Sequence, residues 1–148
     1  MAKAVKFKND YYLDSSSIVH NKTPLKEVID SEIVWERTIS AISGGATLSF
    51  NNQLDNGIYN LYFVRSVQSS DNGIPITFTI NNSSIWIYLN SSGWIQEANA
   101  DAIARRNIQI TKNGIYTTDG GYNKMSDGSY SSNNNMCIPY KLERLLKY

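Results

Sequence analysis

After residue 33, several segments of the chain alternate apolar and polar residues with a period of two. The segment 74–80, IPITFTI, is the clearest example, and its pattern is that of a strand that buries one face. The segment 58–67, IYNLYFVRSV, is apolar on both faces and predicts a central strand that is covered on both sides. Turn-forming residues separate about eight to ten such runs, which is typical of a mainly β protein with an antiparallel β-sandwich or jelly-roll-like head.

Four further patterns predict the structure of the second half of the chain. Asn113-Gly114 lies between two extended runs and predicts a hairpin with a type I′ turn, which needs a positive φ at both positions. Residues 98–106, ANADAIARR, are rich in alanine and predict a short helix. Residues 119–135 have no periodicity and predict one long loop. Residues 136–146 predict a closing strand.

The start of the chain follows a different pattern, a short strand–turn–helix segment. Extended runs flank a turn dipeptide at residues 9–10, and Thr23 can cap a helix that has Pro24 at its first position. The apolar face of this helix consists of Leu25, Val28 and Ile29. A helix of about three turns is marginal alone. We therefore predict an attachment and trimerisation segment at residues 1–32 and a β-sandwich head domain at residues 33–148.

The composition excludes several classes of partner. The 14 basic and 13 acidic residues leave a net charge of +1, and no basic stripe is evident, so we expect no nucleic-acid partner. No apolar run approaches the length of a membrane span, so we expect no membrane insertion. The first residues also lack the apolar core of a signal peptide. The surface is rich in Ser and Asn, which suit turns and also hydrogen bonding to neutral sugars.

No set of residues predicts catalysis or metal binding. His20 is the only histidine and lies in a polar turn without a neighbouring nucleophile. Cys137 is the only cysteine, which excludes an intrachain disulfide and a cysteine-rich metal site. A glycosidase needs two carboxylates, and the candidates are Glu36, Asp55, Glu97, Asp101, Asp119 and Asp127. Most of them occupy turn contexts, so we expect no enzyme activity, no cofactor and no metal.

Aromatic residues are the most informative candidates for ligand binding. Trp86 and Tyr88 share a strand face opposite the aliphatic residues of the segment 85–89, and a turn predicted at residues 90–93 brings Trp94 alongside them. Flat rings pack on the C–H faces of sugars, and Tyr with Ser, Gly and Asn is the composition of recognition loops. The predicted ligand-binding residues are Trp86, Tyr88, Trp94, Tyr116, Asp119, Tyr122, Asn123 and Tyr130. Two alternatives stay open: the aromatic face packs on the second sheet or on a neighbouring subunit, and the loop binds no ligand.

The opening of the chain resembles a known family of virion proteins. It reads KFKNDYYLDSSSIVHNKTPLKEVI, and many tail-fibre and baseplate receptor-binding proteins of phages and prophages of Gram-positive bacteria open with KFKN…YLDSSGIVHNK…L…I. The matching positions are residues 6–9, 12–16 and 18–22, then Leu25 and Ile29. Ser17 stands where glycine is common in that family. The resemblance covers about a fifth of the chain, and no residue of the head matches a motif of the family.

The resemblance implies a homotrimer whose β-rich head binds a saccharide or polymer of the bacterial cell surface. On this basis we expect a receptor-binding protein of a phage tail, in the baseplate or a tail fibre. It would be located in the virion, assembled in the host cytoplasm and joined to other tail proteins. Two alternatives stay open: a purely structural tail component that binds no glycan, and a glycan-cleaving tail spike.

Overall fold

The computed structural model describes residues 5–7, 11–13, 29–70 and 73–147. Contacts divide the chain into one unit of Met1–Asp30 with Lys147–Tyr148 and a second unit of Ser31–Leu146. In the first unit, β1 (Val5–Phe7) pairs antiparallel with β2 (Tyr11–Leu13). These strands confirm the extended runs that the sequence predicts around residues 9–10.

Three features predicted near the N-terminus lie outside the described residues. They are the turn at residues 9–10, the cap at Thr23 and the body of the following helix. Ile29, which was placed on the apolar face of that helix, is described and is the first residue of a strand. The assignment of residues 1–32 to attachment and trimerisation stays a prediction.

The second unit is built mainly from strands, which are joined by turns and loops. A short 3₁₀ turn (Gln96–Ala98) links the two longest strands of one sheet. Within the described residues, the strands are β3 (Ile29–Glu36), β4 (Thr47–Ser49), β5 (Gly57–Ser66), β6 (Ile74–Ile80), β7 (Ile85–Ile95), β8 (Ala100–Ile110), β9 (Gly114–Thr117), β10 (Gly121–Lys124), β11 (Tyr130–Ser132) and β12 (Met136–Lys147). The closing strand predicted at residues 136–146 is confirmed as β12.

These strands form two antiparallel sheets. A four-stranded sheet has the order β3-β12-β5-β6, and a six-stranded sheet has the order β11-β10-β8-β9-β4, with β7 on the other edge of β8. β8 is therefore the centre of the larger sheet, since it pairs with β7 along its whole length and with β10 and β9 on its other side. The predicted mainly β, antiparallel sandwich is confirmed, with the sheets in a curled half-barrel arrangement.

The core lies between the two sheets and explains which side chains remain outside. Leu61 and Phe63 of β5 belong to one buried cluster with Leu89 of β7 and Ile108 of β8. Successive side chains of a strand point to opposite faces, so burying these residues leaves their neighbours on the outer faces. The prediction that β5 is covered on both sides holds only in part, because Ile58 is exposed on its outer face.

The helix predicted at residues 98–106 is wrong, because most of this segment belongs to strand β8. Ala102 and Ala104 alternate with Asp101 and Ile103, and only the alanines are buried. This period of two, together with continuous pairing to β7 from Ala100 to Ile110, outweighs the helical propensity of alanine.

Two further predictions of local structure in the second half are wrong, and a third is only partly right. The turn at residues 90–93 is absent, because β7 runs without interruption to Ile95. The loop at residues 119–135 contains β10 and β11, which pair with each other. The predicted hairpin exists, since Ile110 pairs with Ile115, but Asn113 and Gly114 do not have the positive φ of a type I′ turn. A Cβ on Gly114 would lie 2.5 Å from the carbonyl oxygen of Leu48, so the approach of β4 explains this glycine.

Candidate functional site

The outer face of β7 carries large aromatic side chains that the core leaves uncovered. Trp86 and Trp94 expose 57% and 59% of their surface, and Tyr88 is also exposed, whereas Leu89 and Ile95 on the other face are buried. All three aromatic residues have the same parity along one uninterrupted strand, so they share one face. The alternative that these rings pack on the second sheet of the same chain is therefore wrong.

Amide side chains from β8 lie beside these rings because the two strands are in register. Trp86 is opposite Gln109, and Tyr88 is opposite Asn107. Tyr116 on β9 is also opposite Gln109, and its ring meets that of Trp86 edge to face with centroids 6.3 Å apart and an interplanar angle of 86°. One end of the face is thus an aromatic corner bordered by hydrogen-bonding amides.

β10 and β11 extend the same face on the other side of β8. Asn123 is opposite Ile103 of β8 and Tyr130 of β11. The guanidinium carbon of Arg105 lies 4.4 Å from the centroid of the Tyr130 ring, an arrangement that is favourable between a cation and a ring face. A Cβ on Gly121 would lie 2.5 Å from atoms of that ring, so the glycine leaves the space that Tyr130 occupies.

We call this outer surface of the six-stranded sheet the aromatic face. The predicted residues that it brings together are Trp86, Tyr88, Trp94, Tyr116, Asn123 and Tyr130. The polar side chains among them are Asn90, Ser92, Asp101, Arg105, Asn107 and Gln109. The surface is therefore a mixture of rings and hydrogen-bonding groups rather than a continuous apolar patch.

Two predicted ligand-binding residues do not lie on the aromatic face. Tyr122 is only 7% exposed and belongs to the core, because its parity on β10 is opposite to that of Asn123. Its hydroxyl donates to the carbonyl oxygen of Glu97 at 3.4 Å. Asp119 is exposed, but it lies in the connection between β9 and β10 with its carboxylate against Gly44.

A small polar pocket that the sequence did not indicate borders Trp94. It encloses about 210 Å³ and is lined by Arg65, Ser66, Gln68, Ser69, Ser70, Trp94 and Gln96. Arg65 donates from Nη1 to the carbonyl oxygen of Trp94 at 3.2 Å and from Nε to Oγ of Ser91 at 3.2 Å, which ties the end of β5 to the end of β7. The sequence signal for this pocket is the polar run at residues 68–70, which follows the strongest apolar strand. A run of this kind predicts a turn equally well.

The described residues show little that could support metal or thiol chemistry. Within these ranges, no group of three or more His, Cys, Asp or Glu side chains is placed to hold a metal ion. Cys137 is fully buried, and burial raises the pKa of its thiol to about 12, so it is not a thiolate nucleophile at neutral pH. None of the helices in the described segments is long and apolar enough for a membrane crossing. His20 lies outside the described residues.

Comparison with known proteins adds no relative to these observations. No protein-family model, curated protein or solved structure gives a significant match to the chain. A functional proposal therefore depends on the aromatic face, the adjoining pocket and the resemblance of the N-terminal stretch.

Proposed function

We propose that this chain is a receptor-binding protein of a phage tail that recognises a saccharide on the bacterial cell surface. The observation that carries the saccharide-binding role is the aromatic face, where exposed rings lie beside amide and hydroxyl groups on one surface of the sheet. The place of the protein in a baseplate or tail fibre rests on the resemblance of residues 6–29 alone. The same resemblance supports a homotrimer attached to other tail proteins.

The chemistry of the aromatic face fits a sugar because it offers both kinds of contact that a sugar needs. The rings of Trp86 and Tyr88 present flat apolar surfaces, and the amides of Asn107 and Gln109 lie beside them. Gln109 Nε2 donates to Ser84 Oγ at 2.9 Å, and its amide oxygen can still accept from a hydroxyl group. Arg105 and Asp101 are the charged residues among the polar side chains of the face, and their charges are opposite, so the face as a whole has little net charge. Flat, mostly neutral surfaces of this kind favour neutral saccharide over nucleic acid, which needs a basic surface.

The competing proposal is a structural tail component that uses the same face to bind another tail protein. Aromatic residues are enriched in the apolar centre of protein interfaces. Here, however, Asn90 and Ser92 interrupt the aromatic residues in the middle of β7 and have Arg105 and Ile103 as their partners on β8. Ser is among the residues that are depleted at the desolvated centre of an interface, although Arg is enriched there, and Asn90 and Ser92 are both exposed. This arrangement favours the saccharide.

Adsorption to cell walls tests the proposal. Purified protein is mixed with walls of Gram-positive bacteria, and the bound fraction is measured with and without soluble wall saccharide as competitor. We expect competition, and we expect Trp86→Ala to weaken adsorption roughly tenfold by removing one ring contact. Ile58→Ala is the matched control, because Ile58 is an exposed apolar residue on the other sheet.

Three results would contradict the proposal. Adsorption that soluble saccharide does not compete would favour a structural role through protein contacts. An unchanged adsorption of Trp86→Ala, with the fold intact by circular dichroism, would remove the aromatic face as the binding surface. Release of new reducing ends from the walls would instead favour the glycan-cleaving spike.

A further inference from the structure

The aromatic face has rings near both ends of one long strand. β7 has 11 residues, and Trp86 and Trp94 lie near its two ends on the same side. Eight residue steps at about 3.4 Å each place their Cα atoms about 27 Å apart. One sugar ring can cover one of these indoles, but it cannot reach both.

The middle of the strand is a polar track between the two rings. Asn90 and Ser92 occupy the outward positions there, opposite Arg105 and Ile103 of β8. Asn90, Ser92 and Arg105 can hydrogen-bond to hydroxyl groups, whereas Ile103 is apolar and 40% exposed. No bulky ring on β7 interrupts the path from Tyr88 to Trp94. A ligand that lies along β7 therefore meets rings, then polar groups, then another ring.

The two ends of this track differ in shape. At one end, Tyr116 stands edge-on to Trp86 at 86°, which makes an open corner. At the other end, Trp94 forms one wall of the pocket of about 210 Å³. That volume is below the roughly 300–1,000 Å³ of sites for drug-sized ligands, and the lining hydroxyl and amide groups suit one hydroxylated ring.

We propose that the ligand is a linear chain of several sugar units that lies along β7, with its terminal unit in the pocket at Trp94 and later units reaching the ring of Trp86. This inference rests on the proposed saccharide-binding function and adds the length and direction of the ligand. Arg65 donates to the carbonyl oxygen of Trp94 and to the hydroxyl group of Ser91. Ser91 points away from the aromatic face, so the pocket adjoins this face through Trp94.

The inference makes binding depend on chain length and assigns the two indoles to different units of the ligand. Short fragments should occupy only the pocket and Trp94. Longer fragments should gain affinity until they reach Trp86 and then show no further gain. A saccharide recognised through a single unit would bind with the same affinity at every length.

The test uses saccharide released from Gram-positive walls by partial hydrolysis and separated by size. Each size fraction is titrated against the full chain by isothermal calorimetry, with wild type, Trp86→Ala, Trp94→Ala and the control Ile58→Ala. We expect Trp86→Ala to weaken the long fractions roughly tenfold and to leave the shortest binding fraction unchanged. Trp94→Ala should weaken every fraction, and Ile58→Ala should match the wild type. Thermal unfolding of each variant confirms that it is folded.

The outcomes separate this inference from the function on which it rests. If no fraction binds the wild type, both the saccharide-binding function and the inference are wrong. If fractions bind with equal affinity at all lengths, the function stands and the linear site is wrong. The same conclusion follows if Trp86→Ala weakens the shortest fraction as much as the longest, or leaves the longest unchanged.

Discussion

The guanidinium group of Arg106 donates from Nε to the carbonyl oxygen of Met136 at 2.9 Å and thereby links the two sheets. Arg106 belongs to β8 of the six-stranded sheet and Met136 to β12 of the four-stranded sheet. The arginine is only 1% exposed. Its other acceptors are the carbonyl oxygens of Ile42, Thr118 and Asn134. Burial lowers the pKa of Arg106, but an arginine keeps its charge at neutral pH. The cation is therefore held by backbone dipoles from several segments.

Replacing Arg106 with methionine should destabilise the protein strongly. The change leaves four carbonyl groups without this donor, and each buried group that stays unsatisfied costs about 1–3 kcal/mol. We expect the free energy of unfolding to fall by roughly 3 kcal/mol or more, measured by urea denaturation. Arg105→Met is the matched control, because its guanidinium lies over the Tyr130 ring at the surface. Equal losses in the two variants would show that Arg106 does not link the sheets as described.

Replacing Gly121 with alanine should distort the pair β10–β11. The new Cβ would approach the ring of Tyr130 at 2.5 Å and the carbonyl oxygen of Ser131 at 2.6 Å, and overpacking of this kind costs about 1–3 kcal/mol. Gly57→Ala is a suitable control, because the nearest atom to its Cβ would be 3.4 Å away. We expect a lower melting temperature for Gly121→Ala only. Equal melting temperatures of the two variants would mean that the Tyr130 ring does not occupy this position.

The thiol of Cys137 should make stability depend on pH in the alkaline range. Burial raises its pKa to about 12 from 9.0, so the folded state keeps a proton that the unfolded state loses. The stability that depends on the protonated thiol is fully present below pH 9 and is lost as the pH rises towards 12. Over this range, the free energy of unfolding falls by at most about 1.4 kcal/mol per pH unit. The measurement is urea denaturation of the wild type and Cys137→Ala from pH 8 upward. The difference in the free energy of unfolding between the wild type and the variant should become smaller with rising pH. A difference that does not change with pH would contradict the burial of the thiol.

Replacing Tyr122 with alanine should lower stability, whereas replacing Tyr130 with alanine should weaken adsorption. Tyr122 is buried in the core, so Tyr122→Ala should lower the free energy of unfolding by about 3–5 kcal/mol. Below its melting temperature, this variant should still adsorb to cell walls. Tyr130 is exposed on the aromatic face, so Tyr130→Ala should change stability little and weaken adsorption. The measurements are adsorption assays and urea denaturation of both variants. Weaker adsorption of Tyr122→Ala with unchanged adsorption of Tyr130→Ala would place Tyr122 rather than Tyr130 at the ligand.

Part of the candidate site could be predicted from the sequence, because side chains alternate between the two faces of a strand. Trp86 and Tyr88 alternate with the aliphatic residues of β7, and alternation is a local property that needs no knowledge of the fold. The same rule, applied to β10, would have separated Tyr122 from Asn123, but no strand was predicted there. The residues of β10 are Gly121–Lys124, and their partners on β8 are distant in the sequence. Nothing in this short polar segment predicts that pairing.

The sequence by itself determined the class of the fold, the strong strands and the resemblance of the N-terminal stretch, because each depends on neighbouring residues. Only the tertiary structure decided that residues 100–106 are a strand, that Arg106 links the sheets and that Trp94 borders a pocket. Hydrogen bonding to β7 outweighs alanine's helical propensity in β8. The pocket exists because the ends of β5 and β7 meet through Arg65. Pairing and packing join residues that are far apart in the chain, so local patterns do not contain them.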